Sequence, residues 1–481
     1  MTDDQTEKLI DKVNQHLGGD AYFYLSNDPE RGLGLEGLID NLHLVHIDQT
    51  QLLPYFKSND INYFSLEEIL GTVGSVYRSS IKLINHDEFR RYFAEHKGND
   101  NYFQTFKISP AFSKSVSSLE GELLNTSAEL NRMFENKLSQ YEQIRDLDIK
   151  MPRTGILKLE DALYHALTGT YGSPFIVQFD RGHTGGGTFY IDSEPRFAEL
   201  KEQFPKREVR VAEYISGRPY TLNACVSKKG IFMGGLSFQI TGAPELTSDR
   251  GATVGNDFSY RDGITPEVLL KIQQFVKLIG EKMLSSGYLG LFGVDLIVHK
   301  DDVRIIEINA RQPASIPMHT KIQLGQGQVP LALIHLLEFM GLEYDLDVEG
   351  YNEVAFAPSA YSQIFLRAKS ESRLTSQVKM GIYRLLSDNS AIDRLSGEVV
   401  EGTIFLDEDR DKPLMFQSNG YTVSDLDENP GMLVMAPVKG RIVKKGRELA
   451  RIQIGQQAVD NNGELAPWIP EALNAINNYQ I

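Results

Sequence analysis

Two carboxylates, Asp295 and Glu307, stand inside an otherwise apolar stretch, Gly293-Val-Asp-Leu-Ile-Val-His-Lys-Asp-Asp-Val-Arg-Ile-Ile-Glu-Ile-Asn-Ala-Arg311. An amide, Asn309, and a guanidinium, Arg311, follow them. Oxygen donors of this kind suit Mg²⁺, which is usually held by one or two carboxylates together with substrate phosphates.

The letters predict how these groups meet. Leu291 to Val298 and Val303 to Ile308 are apolar and rich in β-branched residues, and the polar run His-Lys-Asp-Asp interrupts them, which is a hairpin signal. A three-residue loop, Lys300 to Asp302, pairs His299 with Val303, Ile297 with Ile305 and Asp295 with Glu307. Directly opposed residues share one face, with Cβ atoms roughly 5 Å apart. Side chains alternate, so Asn309 and Arg311 follow Glu307 onto that face. A four-residue loop puts the carboxylates on opposite faces, because a one-residue slip flips every side chain. Facing carboxylates repel unless a cation lies between them. The alternative, a surface hairpin with scattered charges, does not account for acids inside apolar strands.

A second segment points to phosphate. Pro174 to Phe179 reads as a buried strand, Asp180-Arg-Gly-His-Thr-Gly-Gly-Gly-Thr188 as a polar loop, and Phe189 to Ile191 as the returning strand. Gly185, Gly186 and Gly187 let backbone N–H groups approach phosphate oxygens with no Cβ in the way. Thr184 and Thr188 add hydroxyl donors. The loop matches neither the Rossmann fingerprint nor the Walker motif.

The chain here resembles the ATP-grasp superfamily. Gly-Val-Asp-x-x-Val, a short turn and Ile-Glu-Ile-Asn-Ala-Arg is similar to its metal-binding hairpin, and the glycine run to its phosphate-covering loop. The resemblance implies that Asp295, Glu307 and Asn309 hold Mg²⁺ or Mn²⁺ on ATP, and that Arg311 faces the acyl phosphate or the acceptor. The family often has a lysine, aimed at the α- and β-phosphates, where Gln178 stands. Glutamine donates a hydrogen bond without charge, so Arg181 is the expected replacement cation, and loss of activity is the alternative. Lys137, in Phe134-Glu-Asn-Lys-Leu-Ser139, matches the first nucleotide-binding lysine; a solvated helix lysine is the plainer reading. Glu213, Tyr214 and Ile215, in Glu-Tyr-Ile-Ser-Gly217, match the segment that reads adenine, with Pro219 where an acid often follows. Arg250, in the polar loop Ser248 to Asp257, is a candidate clamp for a substrate carboxylate, or an ordinary surface arginine.

Composition sets the frame. The chain has 481 residues, too many for one core, with 41% hydrophobic and 24% charged residues. A net charge of −16 argues against nucleic-acid or anionic-membrane binding. The single Cys225, in Thr221-Leu-Asn-Ala-Cys-Val226, reads as a buried strand thiol rather than a nucleophile. The acidic start, Met-Thr-Asp-Asp-Gln, is unlike a signal peptide, and there is no long apolar run, so a cytoplasmic location is expected.

The expected organisation is an N-terminal α/β domain of the pre-ATP-grasp kind (1–130), an ATP-grasp module of two α+β subdomains clasping ATP (131–344) and a β-rich C-terminal domain (345–481). A helix is predicted over Thr6 to Leu17, with strands over Ala21 to Leu25 and Leu42 to Ile47. C-terminal strands are predicted over Glu353 to Phe356, Tyr361 to Leu366, Gly397 to Phe405 and Met432 to Ile442. The segment Ala436 to Gly446 is faintly similar to a biotinyl hammerhead, but Met-Lys-Met is absent and a structural β-domain is favoured. The resemblance implies an ATP-dependent carboxylate–amine ligase working through an acyl phosphate. A biotin-carboxylase-like enzyme activating bicarbonate and a non-catalytic ATP-binding module are the alternatives. Small-molecule carboxylates and amines are the expected partners, and a homodimer is possible.

Overall fold

The computed structural model describes residues 4–74, 77–180, 187–385, 414–428 and 431–480. Its first layer is a parallel sheet of β1 (Ala21–Ser26), β2 (Leu42–His46), β3 (Asn62–Ser65), β4 (Asn101–Thr105) and β5 (Glu122–Leu123), in the order β3-β2-β1-β4-β5. Every residue of β1, β2 and β4 is buried, as parallel strands covered by helices on both faces must be. The predicted first helix runs Asp4–Leu17 and buries Leu9, Ile10, Val13 and Leu17, one apolar stripe. Strand order reverses between β1 and β4, and the segments that leave those strands meet the rest of the molecule there. Gln312 Nε2 donates to the carbonyl of Arg31 at 2.7 Å, and the Arg311 guanidinium lies 5.1 Å from the Phe106 ring.

A small antiparallel sheet follows: β6 (Thr154–Lys158), β7 (Phe175–Phe179), β8 (Thr188–Ile191) and β9 (Glu208–Glu213), in the order β6-β9-β7-β8. Next come β10 (Arg218–Ser227), β11 (Gly230–Thr241), β12 (Thr253–Asp257), β13 (Gly290–His299) and β14 (Asp302–Asn309). The helix Pro266–Ser285 packs on these strands. Thr265 caps it by accepting from Val268 N–H, and Val268, Ile272, Phe275, Val276, Ile279 and Met283 form its buried stripe.

The C-terminal strands are β15 (Ser362–Arg367), β16 (Ser372–Arg373), β17 (Gly381–Leu385), β18 (Leu414–Ser418), β19 (Met432–Met435), β20 (Ile442–Val443) and β21 (Glu448–Ile454). β15 pairs with β12, so one sheet runs β14-β13-β10-β11-β12-β15-β21-β19-β17-β18. The expected strand at Glu353 to Phe356 is instead the end of a helix, Val348–Val354, and the turn that follows it. Asp347 starts that helix by accepting from the N–H groups of Glu349 and Gly350, and a helix start of this kind outweighs a short apolar run. The expected strand at Gly397 to Phe405 lies outside the described residues.

The Ala436–Gly446 segment ties the two ends of the chain together. Arg441, 6% exposed, donates to Asp48 at 3.0 Å and to Glu67 at 2.6 Å, both carboxylates of the N-terminal domain. Gln51 Nε2 donates to the carbonyls of Val378 and Ala436, each at 2.9 Å. Among the described residues no helix is long and apolar enough to cross a membrane.

Candidate active site

The carboxylate pair forms as expected, but by another route. The turn has two residues, Lys300 and Asp301, with Lys300 at φ 53°, a positive value of the kind tight hairpin turns need. His299 therefore pairs with Asp302 and Ile297 with Arg304, not with Val303 and Ile305. Continued without a break, this register would place Ile306 opposite Asp295. A bulge at Ile306 takes up one residue, and beyond it Asp295 pairs with Glu307 and Gly293 with Asn309.

Both carboxylates are held from several sides. Thr221 Oγ1 and Gln239 Nε2 donate to Asp295 Oδ1 at 2.7 and 2.8 Å, and Asn309 Nδ2 donates to Oδ2 at 3.1 Å. Burial, and then the nearby Glu307, push the Asp295 carboxyl up to about 6 against those three donors. Burial disfavours ionisation of Glu307 too, yet Lys137, Arg210 and Arg311 together hold its carboxyl below the usual range. Arg311 Nη2 donates to Asn309 Oδ1 at 2.9 Å, and its Nε donates to Glu135 Oε1 at 2.9 Å. Two carboxylates and one amide oxygen form a hard-oxygen donor set short of a full coordination shell. Among the described residues no cluster of three His, Cys, Asp or Glu adds to it. That set fits Mg²⁺, which leaves remaining positions to phosphate and water, and does not resemble a closed zinc cage.

The small sheet faces this hairpin. Thr188, Gln178 and Arg210 pair in register across β8, β7 and β9, so their side chains lie on one face. Lys137 begins the helix Lys137–Ile144, where Asn136 Oδ1 caps the N–H groups of Leu138 and Ser139. It is only 7% exposed, unlike a solvated helix lysine. Its ammonium bridges the two layers, with Glu307 Oε2 at 2.6 Å and Thr188 Oγ1 at 3.4 Å. Gln178 is buried and donates to Thr188 Oγ1 at 3.3 Å. Gly187 adopts φ 112°, which favours glycine. Arg181, Thr184, Gly185 and Gly186 lie outside the described residues.

Two expected contacts look different in place. The Glu213 carboxylate is already engaged, accepting from Arg153 N–H at 3.1 Å and Arg153 Nε at 2.7 Å, with Arg304 at 3.6 Å. Tyr214 is half exposed beside Tyr190, with ring centroids 5.2 Å apart, and Ile215 is partly buried. Arg250 is exposed on the loop between β11 and β12 and forms no ion pair with Asp295 or Glu307. Cys225 is fully buried in β10, and burial pushes its thiol well up.

Residues 134–315 match the ATP-grasp domain family. The chain carries an ATP-grasp domain. The carbamoyl phosphate synthase large chain of Helicobacter pylori is 23% identical to it over 234 residues, which cover 46% of this chain and 20% of that one. The chain thus spans about a fifth of the length of the curated relatives it matches. Similar solved structures extend the likeness along the chain. The N5-carboxyaminoimidazole synthase of Aspergillus clavatus, in complex with ADP and 5-aminoimidazole ribonucleotide, aligns over 96% of this chain and 98% of its own. It does so at 13% identity with a TM-score of 0.53. The biotin carboxylase domain of Hydrogenobacter thermophilus 2-oxoglutarate carboxylase, in complex with MgADP, ADP and bicarbonate, aligns over 90% and 85% at 11% identity and a TM-score of 0.57. The fold is ATP-grasp, with the parallel sheet before it and the C-terminal strands after it.

Four further residues beside the carboxylate pair are not singled out by the sequence: Glu135, Arg210, Thr221 and Gln239. Thr221 and Gln239 reach Asp295 from β10 and β11, through pairings that residue types do not reveal. Arg210 did leave a signal, a charge inside the apolar run Val209-Arg-Val-Ala212, the same kind that marked Asp295.

Proposed function

We propose that this protein is an ATP-dependent ligase joining a carboxylate to an amine through an acyl phosphate, with ATP and Mg²⁺ (or Mn²⁺) bound between the small sheet and the hairpin. The observation carrying this reading is the bulged register that sets Asp295 opposite Glu307 with Lys137 and Arg311 alongside. In this reading 1–130 is a pre-ATP-grasp domain, 131–344 the ATP-grasp module and 345–481 the C-terminal domain.

Asp295, Glu307 and Asn309 hold the metal, with Thr221 and Gln239 fixing the Asp295 carboxylate. Bound there, Mg²⁺ neutralises charge on the transferring phosphoryl group. Lys137, Thr188 and the glycine run at 185–187 take the phosphates, and Arg181 makes up for the uncharged Gln178. Glu213, Tyr214 and Ile215 line the adenine end, where backbone groups do the reading because the Glu213 carboxylate is engaged. Arg311, held by Glu135, faces oxyanions that develop as the carboxylate attacks the γ-phosphorus and as the amine attacks the acyl phosphate. Removing such a donor typically costs about 3–4 kcal/mol of transition-state stabilisation. Arg250 reaches substrate only if its exposed loop closes over the face.

The likeness to a biotin carboxylase domain solved with bicarbonate supports a second reading, in which the carboxylate activated is bicarbonate. ADP and phosphate release, measured over a panel of acids and amines with and without added bicarbonate, separates the two. Glu307→Gln is expected to abolish that release in a folded protein. Near-normal turnover of this variant at saturating Mg²⁺ sinks the metal assignment.

A further inference from the structure

Arg210 is a cation in the interior, 3% exposed, in a strand whose other central residues, Val209, Val211 and Ala212, pack as core. Its side chain shares a face with Gln178 and points across the cleft at the hairpin. There Nη1 donates to the carbonyl of Ile306 at 3.1 Å. Ile306 is the bulge residue, and a bulge residue lacks a place in the ladder. The guanidinium also adjoins Glu307, whose ionised form it favours. Its Nε is buried without a hydrogen-bond partner. A buried donor left unmade carries a free-energy cost, and an apolar side chain would fill the same volume without it. Packing alone therefore does not account for an arginine here.

The geometry assigns Arg210 as a positioning residue for the metal face: it anchors the bulge at Ile306 and so keeps Glu307 turned toward Asp295. Without the bulge, Glu307 would pair with Val294 and turn to the opposite face of the hairpin. The anchor comes from β9, on the other subdomain, so the register that creates the metal face is stabilised across the nucleotide cleft. This assignment rests on the ligase reading in taking Glu307 as a metal ligand.

ADP binding by calorimetry, with and without Mg²⁺, tests it on the whole chain with no knowledge of the other substrates. Mg²⁺ is expected to tighten ADP binding to the native protein. Arg210→Met is expected to lose about tenfold or more of that Mg²⁺-linked gain, the usual effect of removing a partner that orients a metal ligand. Its Mg²⁺-free ADP affinity should change much less, a split that general loosening of the domain would not produce. Arg210→Lys keeps the charge without the planar fork and should fall between the two. Glu307→Gln serves as the control. If it loses the Mg²⁺-linked gain and Arg210→Met keeps it, the positioning role is overturned and the metal site stands. If Glu307→Gln itself keeps the gain, the metal reading fails, and the Arg210 assignment fails with it. Should Arg210→Met not fold, Arg210→Lys decides: a reduced gain upholds the assignment, and a native gain overturns it.

Discussion

The Lys137 ammonium lies 2.6 Å from Glu307 Oε2, so the carboxylate assigned to a metal already holds a cation. The two residues are far apart in sequence, on the helix Lys137–Ile144 and on β14. A divalent ion entering alone must displace this ammonium. Nucleotide phosphates would instead draw the ammonium toward themselves and leave Glu307 to the metal.

Lys137→Met is therefore expected to act in opposite directions on two ligands. ATP binding should weaken by about tenfold or more, since hydrogen bonds to charged groups contribute about 1.5–3 kcal/mol. Binding of Mn²⁺ without nucleotide should strengthen, because a competitor is gone. Calorimetric titrations measure both, and a loss of Mn²⁺ affinity in the variant would contradict the competition.

Glu135 holds Arg311 Nε at 2.9 Å and lies 3.5 Å from Lys107. Glu135→Ala takes the partner from Arg311 Nε and leaves the guanidinium its bond to Asn309 Oδ1. The expected result is a fall in turnover of about tenfold to a hundredfold, by analogy with other orienting partners, with the ATP KM little changed. Steady-state kinetics on the native and variant proteins read this, and an effect confined to the ATP KM would move Arg311 to the nucleotide side.

Arg441 stands between Asp48 and Glu67, both buried. Glu67 also accepts from Gln49 N–H at 3.0 Å and Gly74 N–H at 2.8 Å, so its charge is fixed in place. Arg441→Met removes the cation from Glu67 and leaves Asp48 with Arg78 alone, at 2.7 Å; breaking a buried pair in this way typically costs about 3–5 kcal/mol. Urea denaturation should show the loss, and a variant as stable as the native protein would mean that the ion cluster contributes no net stability.

His335 is buried between the parallel sheet and β13. Leu291 N–H donates to Nδ1 at 3.2 Å, so the neutral ring carries its proton at Nε2, which lies 2.9 Å from the carbonyl of Leu124 and 3.1 Å from the Gln104 amide nitrogen. Burial lowers its pKa from the ordinary 6.5 to about 4. A folded-state pKa below the unfolded one means that the unfolded chain takes the extra proton. The stability due to this group is full above about pH 6.5 and is lost as pH falls toward 4, by at most about 3 kcal/mol. Between pH 7 and 5 the native protein should lose more unfolding free energy than His335→Gln does, and equal losses would remove the argument.

The amino-acid sequence alone determined which charged residues share a strand face and which elements carry them. Acids inside β-branched runs mark a functional pair because strands place every second residue on one face, and a charge on a buried face needs a partner. That is why the meeting of Asp295, Glu307, Asn309 and Arg311 on one face is legible, and why Ala21–Ser26 and Phe175–Phe179 are strands within a residue of their predicted bounds. The short apolar run at Glu353 to Phe356 predicts a strand, but the cap at Asp347 starts a helix that ends at Val354. Tertiary structure alone decided the register. A two-residue turn plus a bulge places the same two residues opposite each other as a three-residue loop does, and only contacts from outside the hairpin distinguish the two routes. The outside contacts that reach the bulge segment come from Arg210, which donates to the carbonyl of Ile306, from the carbonyl of Lys150, which accepts from Ile305 N–H, and from Gln140 Oε1, which accepts from Ile308 N–H. Their reach is a matter of distance in space, which residue type and spacing along the chain do not encode.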